Sequence, residues 1–360
     1  MGTADMQDVL HKTLVIRLSS VGDVVLASPL LRSFRGRFPA CQIDFLVKSD
    51  YADLVRHNPH VARVIEFPGN GSPADLYRLR REILSSGYDL IIDIHDSLRS
   101  RILCAGAKRV VRINKRKLAR ALLVRFKKDE YARWGGAPGV ADRYIEPVRP
   151  YGVVNDGKGL ELFVPGALTQ TVASILTGEG IYPDDRCIGV CPSARHANKV
   201  WLAERYAAAA GELAARRNAP VLLFGSADER ERCEEIATAI LAAHPGVRVA
   251  NLAGWTSLLE TAAAMDRCAV VLTNDTGLMH IASARGAAVV AIFGPTVRQF
   301  GFFPDPARAT VLEAKGLACR PCTHIGLPDC PQGHFLCMRE ITADLVVAAA
   351  TARMEGKGPA

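Results

Sequence analysis

The chain has 360 residues, of which 49% are apolar, so it is long enough for two domains of about 150–180 residues, each with a substantial core. No apolar run approaches the roughly 18 residues of a transmembrane helix, and the first residues lack the basic and apolar stretches of a secretory signal. We therefore expect a cytoplasmic protein, whose ten cysteines are thiols or metal ligands rather than disulfides.

The predicted elements alternate between strand and helix along most of the chain. In the first half the predicted strands are 14–18, 42–47, 63–67, 89–94 and 109–113, and the predicted helices are 27–37, 51–56, 73–86 and 96–104. In the second half the strands are 187–191, 220–224, 248–252, 269–273 and 287–293, and the helices are 201–217, 228–244, 257–267 and 276–285. This order predicts an α/β fold with two doubly wound parallel sheets.

The boundary between the two predicted domains lies in residues 151–185, which are rich in glycine and proline and have weak periodicity. We predict an N-terminal Rossmann-like domain over 1–165 and a C-terminal one over 166–338, followed by a helical segment, 339–360. Ligands of such domains bind beyond the carboxyl ends of the strands, so the loops that follow strands are the predicted sites.

The positive charge is concentrated in the first half of the chain. The net charge is +8, and residues 1–165 carry 27 basic against 18 acidic residues, whereas residues 166–360 carry 18 against 19. Residues 108–128 hold ten basic residues and no acidic one. Such a segment is typical of a surface that attracts nucleic acid, anionic lipid or a phosphorylated sugar, and the alternative is a solvated basic face.

The first predicted strand ends in Ser19-Ser20-Val21-Gly22-Asp23. A glycine turn between strand and helix often holds phosphate, but the carboxylate of Asp23 would repel one. Ser28-Pro29 is typical of an N-cap followed by the first helical residue, so we expect Asp23 on a loop or a short broken turn. A helix cap is the alternative interpretation of Asp23.

The most specific stretch is residues 270–296, which read VVLTNDTGLMHIASARGAAVVAIFGPT. A strand ends at Thr273, and Asp275 is a candidate N-cap for the helix that follows. The free N–H groups at the start of that helix, together with Gly277, favour an anion site. The alternative is an ordinary strand–helix–strand unit with a capped helix.

Three stretches together resemble glycosyltransferase family 9, the ADP-heptose:lipopolysaccharide heptosyltransferases. They read VIRLSSVGDVVLASPLLRSFRGRFPACQIDFLV near the start, NDTGLMHIASARGAAVVAIFGPT late in the middle and CRPCTHIGLPDCPQGHFLCMREIT near the end. The resemblance implies a GT-B fold, in which two Rossmann-like domains face each other across a cleft, with the acceptor on the first and the nucleotide sugar on the second. It also implies that segment 339–360 crosses back to the N-terminal domain.

On the donor side the resemblance implies donor contacts from Asp275, Thr276, Gly277 and His280, of which Asp275 and the helix N-terminus would hold the diphosphate region. It also implies a phosphate contact from Lys199, two residues before a tryptophan. Ser193 is a plausible hydroxyl donor in the same loop as Lys199, and Glu229 matches the family's nucleotide-side glutamate. A lysine and a helix N-terminus can stabilise the departing ADP without a metal, so no cofactor is required. The alternatives are a solvated lysine, a first-turn glutamate and a packing histidine.

On the acceptor side the resemblance implies that Asp23 is the general base of an inverting transfer, with Gly22 allowing close approach of the sugars. Arg99 and Arg101 follow the fourth strand and can pair with carboxylates or phosphates of the acceptor. Further candidates for these contacts are Arg17, Lys115 and Arg143. An acidic, lipid-anchored acceptor would account for the basic first half, and residues 108–128 would then contact the anionic surface of the inner membrane.

The cysteine segment near the end of the chain has the beginning of a zinc-site pattern. Cys319 and Cys322 are separated by two residues, and Cys330 and Cys337 follow with a wider spacing that is less typical of zinc. The alternatives are a structural metal site and an ordinary loop with reduced cysteines. A catalytic metal is not expected.

The sequence therefore predicts an enzyme that transfers a heptose from ADP-heptose to an inner-core lipopolysaccharide sugar. A different donor or acceptor within the family is the first alternative, and a non-catalytic nucleotide- or nucleic-acid-binding protein is the second. The chain lacks a Gly-x-Gly-x-x-Gly turn after its first strand and a Walker motif, which argues against dinucleotide binding and phosphate-loop chemistry. It also lacks a known nucleic-acid motif, so we expect no nucleic-acid partner.

Overall fold

The computed structural model describes residues 9–356, which contain eleven strands and fourteen α-helices. The strands are β1 Lys12–Ile16, β2 Gln42–Lys48, β3 Arg63–Phe67, β4 Leu90–Asp93, β5 Val110–Arg112, β6 Cys187–Cys191, β7 Val221–Leu223, β8 Val249–Asn251, β9 Cys268–Asn274, β10 Ala288–Ile292 and β11 Ala309–Leu312. The helices are α1 Val21–Val25, α2 Ser28–Arg37, α3 Asp53–Arg56, α4 Pro73–Ser85, α5 Leu98–Cys104, α6 Lys117–Phe126, α7 Val140–Ile145, α8 Gly166–Gly178, α9 Ala203–Arg217, α10 Arg230–Ala243, α11 Leu258–Met265, α12 Gly277–Ala284, α13 Leu336–Arg339 and α14 Ala343–Met354. Residues 1–8 and 357–360, which the domain predictions include, lie outside the described residues.

The first sheet is parallel throughout, with the strand order β3-β2-β1-β4-β5. Its central strands are rich in leucine, isoleucine and valine, and β1 and β4 are almost entirely buried because helices cover both faces. The strand order reverses between β1 and β4, which makes the carboxyl ends of these two strands the topological switch point.

The second sheet is also parallel and has the order β11-β10-β9-β6-β7-β8. Its switch point lies between β6 and β9. Trp201, which follows β6, is fully buried, and its indole N–H donates to the carbonyl of Ile341 at 3.0 Å. This bond satisfies the one polar group of a side chain that otherwise packs in the apolar core of the sheet.

The chain divides into two compact units, and its last crossing between them, after Gly159, lies within the predicted boundary region 151–185. The first unit comprises the described residues up to Lys115 together with Val140–Gly159, and the second comprises Arg116–Gly139 and the residues from Leu160 onward. The predicted domains 1–165 and 166–338 therefore miss an excursion of the chain, which leaves the first unit and later returns to it. Helix α8 also occupies part of the stretch 151–185 that was predicted to be a boundary region.

The C-terminal helix belongs to the second unit, which corrects the prediction that segment 339–360 crosses back to the first domain. Helix α14 packs against α9 and β10, and its residues Val346, Val347 and Ala350 are part of the core of the second sheet. Arg353 fastens the end of the helix by donating to Thr310 Oγ1 at 2.8 Å. The buried apolar side chains keep this helix on its own unit.

Candidate active site

The candidate site of the first unit lies beyond the two strands at its switch point. Arg17 immediately follows β1, Asp23 lies in α1, and β4 ends at Asp93 before a short loop that leads into α5. In a doubly wound sheet, the loops beyond the two strands at the switch point flank the crevice in which ligands bind. These residues are therefore placed where the fold predicts a ligand.

Asp23 accepts hydrogen bonds on both of its carboxylate oxygens. Its Oδ2 accepts from Arg17 Nη2 at 2.6 Å and from the backbone N–H and hydroxyl of Ser20 at 3.3 and 3.2 Å. Its Oδ1 accepts from the hydroxyl of Tyr144 at 3.1 Å. The Asp23 side chain is 19% exposed. Since three of these donors are on Oδ2 and one is on Oδ1, Oδ1 has more unused hydrogen-bonding capacity for a ligand hydroxyl.

Asp23 lies within the five-residue helix α1, which ends before α2 begins, so the expected short broken turn is a single helical turn and the expected loop is wrong. Ser28 is the first residue of α2 rather than its N-cap, because Ala27 takes the N-cap position. The chain stays helical here and thereby buries Val24 and Val25. The helix-cap interpretation of Asp23 explains its contact with the Ser20 N–H, but not its contacts with Arg17 and Tyr144.

The protonation states of Asp23 and Tyr144 suit a carboxylate base with a neutral hydrogen-bond donor. Burial raises the pKa of Asp23, but the charge of Arg17 and its hydrogen bond outweigh burial, so this pKa lies below its usual value. Burial raises the pKa of Tyr144 well above its usual value, and the neighbouring Asp23 adds to the rise. At neutral pH Asp23 is therefore ionised and the Tyr144 phenol is neutral.

The loop after β4 is organised by the buried carboxylate of Asp93. Asp93 accepts from the backbone N–H of His95 at 3.1 Å, from that of Asp96 at 2.8 Å and from Ser100 Oγ at 3.0 Å. Arg17 Nη1 donates to the carbonyl of Ile94 at 2.8 Å, so the guanidinium that binds Asp23 also holds this loop. The two loops at the switch point are thus joined through Arg17.

His95 and Tyr144 are site residues that the sequence interpretation missed. Burial, followed by the charges of Arg17 and Lys115, lowers the pKa of His95 to about 3, so its imidazole is neutral at pH 7. His95 directly follows the predicted strand 89–94, and this position was the available signal. Tyr144 lies in α7, more than 100 residues from Asp23, and no local pattern marks it.

The two predicted acceptor arginines both lie on the exposed side of α5. The guanidinium of Arg99 packs over the Phe67 ring at 5.4 Å, whereas Arg101 is paired with Asp96 at 2.8 Å. Lys115 donates to the carbonyl of Asp96 at 3.1 Å. Gly22 is buried inside α1, and Arg143, which was a further candidate, is buried on α7.

In the second unit, the structure brings Lys199 and Asp275 together at the switch point between β6 and β9. Lys199 Nζ lies 2.6 Å from Asp275 Oδ2, and Thr296 Oγ1 donates to the same oxygen at 2.8 Å. Asp275 is therefore not the N-cap of α12 as predicted, because Thr276 takes that position. Its carboxylate turns instead to the lysine, which it holds at the start of the helix.

The other predicted donor residues that follow β6 and β9 are Ser193, Thr276, Gly277 and His280. The Ser193 hydroxyl, just beyond β6, is buried and has no hydrogen-bond partner within residues 9–356. Thr276 and Gly277 are half-buried at the N-terminus of α12, where backbone N–H groups and the helix dipole favour an anion. His280 is buried one turn further along, with its ring 6.4 Å from that of Phe302.

Glu229 stabilises the short 3-10 turn Ala227–Glu229, which precedes α10. Its carboxylate accepts from the backbone N–H of Ser226 at 2.8 Å. This contact is the one expected of a first-turn glutamate, which was the alternative interpretation of the residue. Glu229 nevertheless lies beyond β7, at the same edge of the sheet as Lys199 and Asp275.

The four cysteines of the C-terminal segment do not form a metal site in the described residues. Cys319, Cys322, Cys330 and Cys337 are free thiols, and residues 9–356 contain no group of three or more His, Cys, Asp or Glu side chains arranged to hold an ion. Burial raises the pKa of Cys337 to about 11, which keeps its thiol protonated. As they stand in the described residues, these thiols match the ordinary loop with reduced cysteines, and the structural metal site, the other alternative for this segment, stays a prediction.

A model of the family described as glycosyltransferase family 9 (heptosyltransferase) matches residues 76–328, more than half of the chain. The chain belongs to this family. Lipooligosaccharide heptosyltransferase 2 of Haemophilus influenzae is 30% identical to it over 300 residues, which cover 80% of this chain and 84% of that protein. The residues matched by the family model include Lys199 and Asp275, whereas Asp23 lies outside them.

Two solved structures of the family have the same fold. The glycosyltransferase family 9 protein from Veillonella parvula is 22% identical, with a TM-score of 0.78 over 96% of this chain and 97% of that one. The ADP-heptose lipopolysaccharide heptosyltransferase II of Escherichia coli is also 22% identical, with a TM-score of 0.73 over 96% and 98%. The predicted GT-B fold of two Rossmann-like units and the predicted glycosyltransferase class are thereby confirmed.

Proposed function

We propose that this glycosyltransferase moves a heptose from ADP-heptose to an inner-core lipopolysaccharide sugar with inversion at the anomeric carbon. The proposal is supported by family membership and by the activity named for its relatives from Haemophilus influenzae and Escherichia coli. The second unit would bind the nucleotide sugar and the first the acceptor. We place the reaction in the cytoplasm, at the surface of the inner membrane.

In the proposed mechanism Asp23 Oδ1 takes the proton of the attacking acceptor hydroxyl. The hydroxyl oxygen forms a bond to the anomeric carbon, while the bond from that carbon to the ADP oxygen breaks on the opposite face. The electron pair of that bond leaves with ADP. The Lys199 ammonium and the N-terminus of α12 stabilise the negative charge that develops on the diphosphate.

The observation that carries this mechanism is the environment of Asp23. Its carboxylate is ionised, partly exposed and held at the switch point by Arg17, and its Oδ1 has one recorded donor in the described part of the chain. A carboxylate placed in this way can take a proton without any movement of the backbone.

The proposal is tested by the release of ADP from ADP-heptose in the presence of truncated core acceptors. Replacing the base by Asp23→Asn should lower kcat by about 10²–10⁴-fold and leave donor binding intact. Asp53→Asn is the matched control, since Asp53 is another arginine-bound aspartate of the first unit and is exposed, so its loss should cost little stability. Full activity of Asp23→Asn would remove the mechanism, and turnover only with a different nucleotide sugar would change the assigned donor.

A further inference from the structure

We infer that α6 is a membrane-contact helix, whose apolar stripe of Leu118, Leu122 and Phe126 enters the interface of an anionic bilayer. The inference deepens the proposed function, because a helix on the membrane would bring the enzyme to a lipid-anchored acceptor. Only this link to the acceptor rests on the proposed function, since binding to a membrane requires neither the donor nor the acceptor. It assigns a defined surface where the charge pattern of the sequence indicated only a long basic segment.

The stripe lies on the solvent side of a helix that is anchored by its opposite side. Leu118, Leu122 and Phe126 are four residues apart and share one face. Leu118 is 58% exposed and Phe126 is 57% exposed, and Leu122 is half-buried between them. Ala119 and Leu123 are buried in a cluster with Tyr131 and Phe300 of the same unit, so the helix is held firmly while its stripe stays in water.

Cations flank the stripe, and acidic residues are missing from the same stretch of sequence. Residues 116–128 include six basic residues and no acidic one. Arg125 and Lys128 are exposed, and the Arg125 guanidinium lies 5.7 Å from the Phe126 ring. Lys127 is used within the unit, where its Nζ donates to the carbonyl of Pro321 at 2.6 Å. An exposed apolar stripe bordered by cations is typical of a helix that lies in the plane of a bilayer interface.

The structure divides the basic segment 108–128 into two parts, of which only the second accompanies the apolar stripe. Residues 108–115 belong to the first unit, and residues 116–128 belong to the second. The cations of the second group are those that accompany exposed leucine and phenylalanine side chains. An anionic lipid surface can bind both the cations and the exposed apolar side chains of α6. Nucleic acid binds through phosphate contacts and base stacking, so it gains little from aliphatic side chains.

Cosedimentation of the full chain with vesicles tests the inference. The vesicles contain either phosphatidylcholine alone or phosphatidylcholine mixed with phosphatidylglycerol. We expect binding to the anionic vesicles that weakens as salt is added, and little binding to the neutral ones. Leu118→Gln with Phe126→Gln should weaken binding at least tenfold with the cations unchanged. Arg125→Gln with Lys128→Gln should weaken it by a similar factor, at about fivefold per cation, and reduce the salt dependence.

The matched control is Tyr182→Gln with Leu345→Gln, which removes two other exposed apolar side chains of the second unit. This variant should bind vesicles like the unchanged protein. The Leu118→Gln, Phe126→Gln variant and this control variant should both keep full activity on a water-soluble acceptor. Only the variant with the α6 substitutions should lose activity on an acceptor embedded in vesicles.

Three results would overturn the inference: vesicle binding that is unaffected by the α6 substitutions, equal binding to neutral and anionic vesicles, or a preference for RNA or DNA over vesicles. Absence of transfer to the soluble acceptor by the unchanged protein would instead contradict the proposed function. The two failures are therefore distinguishable.

Discussion

Asp23, the proposed general base, must meet two requirements that oppose each other. The carboxylate must be ionised at the working pH, and it must still have enough proton affinity to take a proton from a sugar hydroxyl. Arg17 meets the first requirement and works against the second, since it lowers the pKa of Asp23. Tyr144 acts in the same direction through its bond to Oδ1, which is the oxygen proposed to take the proton.

Tyr144→Phe tests this balance. The pKa of Asp23 should rise when the hydroxyl is removed, so the loss of activity on acidification should begin at a higher pH than in the unchanged enzyme. We expect kcat at neutral pH to change by about 3- to 30-fold, with the KM for the donor unaffected. The measurement is the pH profile of kcat, and an unchanged acid limb would show that Tyr144 does not act on Asp23.

Tyr206→Phe is the control for this substitution. Tyr206 is fully buried in the second unit, and its hydroxyl has no hydrogen-bond partner within residues 9–356. Removing a buried hydroxyl of this kind should leave both the pH profile and the stability close to those of the unchanged protein.

Lys199→Met should weaken the proposed donor site. The substitution keeps most of the unbranched side chain but removes the ammonium held by Asp275, so stabilisation of the departing diphosphate is lost. We expect kcat to fall by about 10²–10³-fold and ADP to bind more weakly, as measured by turnover and calorimetry. Lys158→Met replaces an exposed lysine of the first unit and should have no effect. Equal ADP affinity of Lys199→Met and the unchanged protein would contradict the assignment.

At the scale of elements, the C-terminal cysteine segment supports the loop that carries Lys199. The backbone N–H of Asn198 donates to the carbonyl of Leu327 at 3.2 Å, and the Leu327 N–H donates to Asn198 Oδ1 at 2.8 Å. Gly326 has a φ of +125° and lies so close to His196 that an added Cβ would stand 2.4 Å from the His196 Cβ. This glycine permits the close approach of the two loops.

Gly326→Ala should therefore disturb the Lys199 loop without touching a substrate. The new methyl group must push the two loops apart, so we expect about a tenfold higher KM for the donor and a loss of roughly 2–3 kcal/mol in stability. Gly333→Ala is the control, since Gly333 has a φ of +69° but no neighbouring atom within 4 Å of an added Cβ. At +69° an alanine can adopt the left-handed helical region at a modest cost, so this variant controls for a positive φ and lacks both the clash and the larger strain expected at Gly326. Equal donor KM values in the two variants would contradict a supporting role for the segment.

At the scale of the whole molecule, the first unit is assembled from two separate stretches of chain. The second stretch, Val140–Gly159, brings Tyr144 to Asp23. It also places Asp156 against Arg32 of α2, with two bonds of 2.6 and 2.7 Å. The hydrogen bond from Arg32 lowers the pKa of Asp156 to about 2. This ion pair thus joins the two stretches of the first unit through residues that are 124 positions apart.

Asp156→Asn should lower the stability of the first unit in a pH-dependent way. Because the pKa of Asp156 is depressed in the folded state, its contribution is complete above the unfolded value of about 4 and is lost as the pH falls through about 2. We expect a cost of about 1–2 kcal/mol at pH 7, measured by urea unfolding, and a smaller difference from the unchanged protein in acid. A difference that does not depend on pH would contradict the ion pair. Asp228→Asn, at an exposed aspartate, should cost nothing.

Much of the fold could be predicted from local sequence patterns, and the errors of that prediction have identifiable causes. All ten predicted strands exist with small shifts at their ends. Most of them are runs of buried apolar residues, which mark strands covered on both faces, whereas the exposed edge strands β3 and β5 are marked by their β-branched residues. Strand β11 was not predicted because it is a short edge strand. Helix α6 was not predicted because its many basic residues obscure the helical spacing of its few buried apolar residues. The excursion of residues 116–139 into the second unit has no local signature.

The sequence by itself determined the α/β class, the two doubly wound sheets, the family and the loops of the candidate site, because all of these follow from periodicity, glycine turns and contiguous motifs. Only the tertiary structure decided the partners within those loops: Tyr144 for Asp23, and Lys199 and Thr296 for Asp275. These partners lie on different elements, and their meeting depends on the strand order and on side-chain direction. A pattern of neighbouring residues records neither of these.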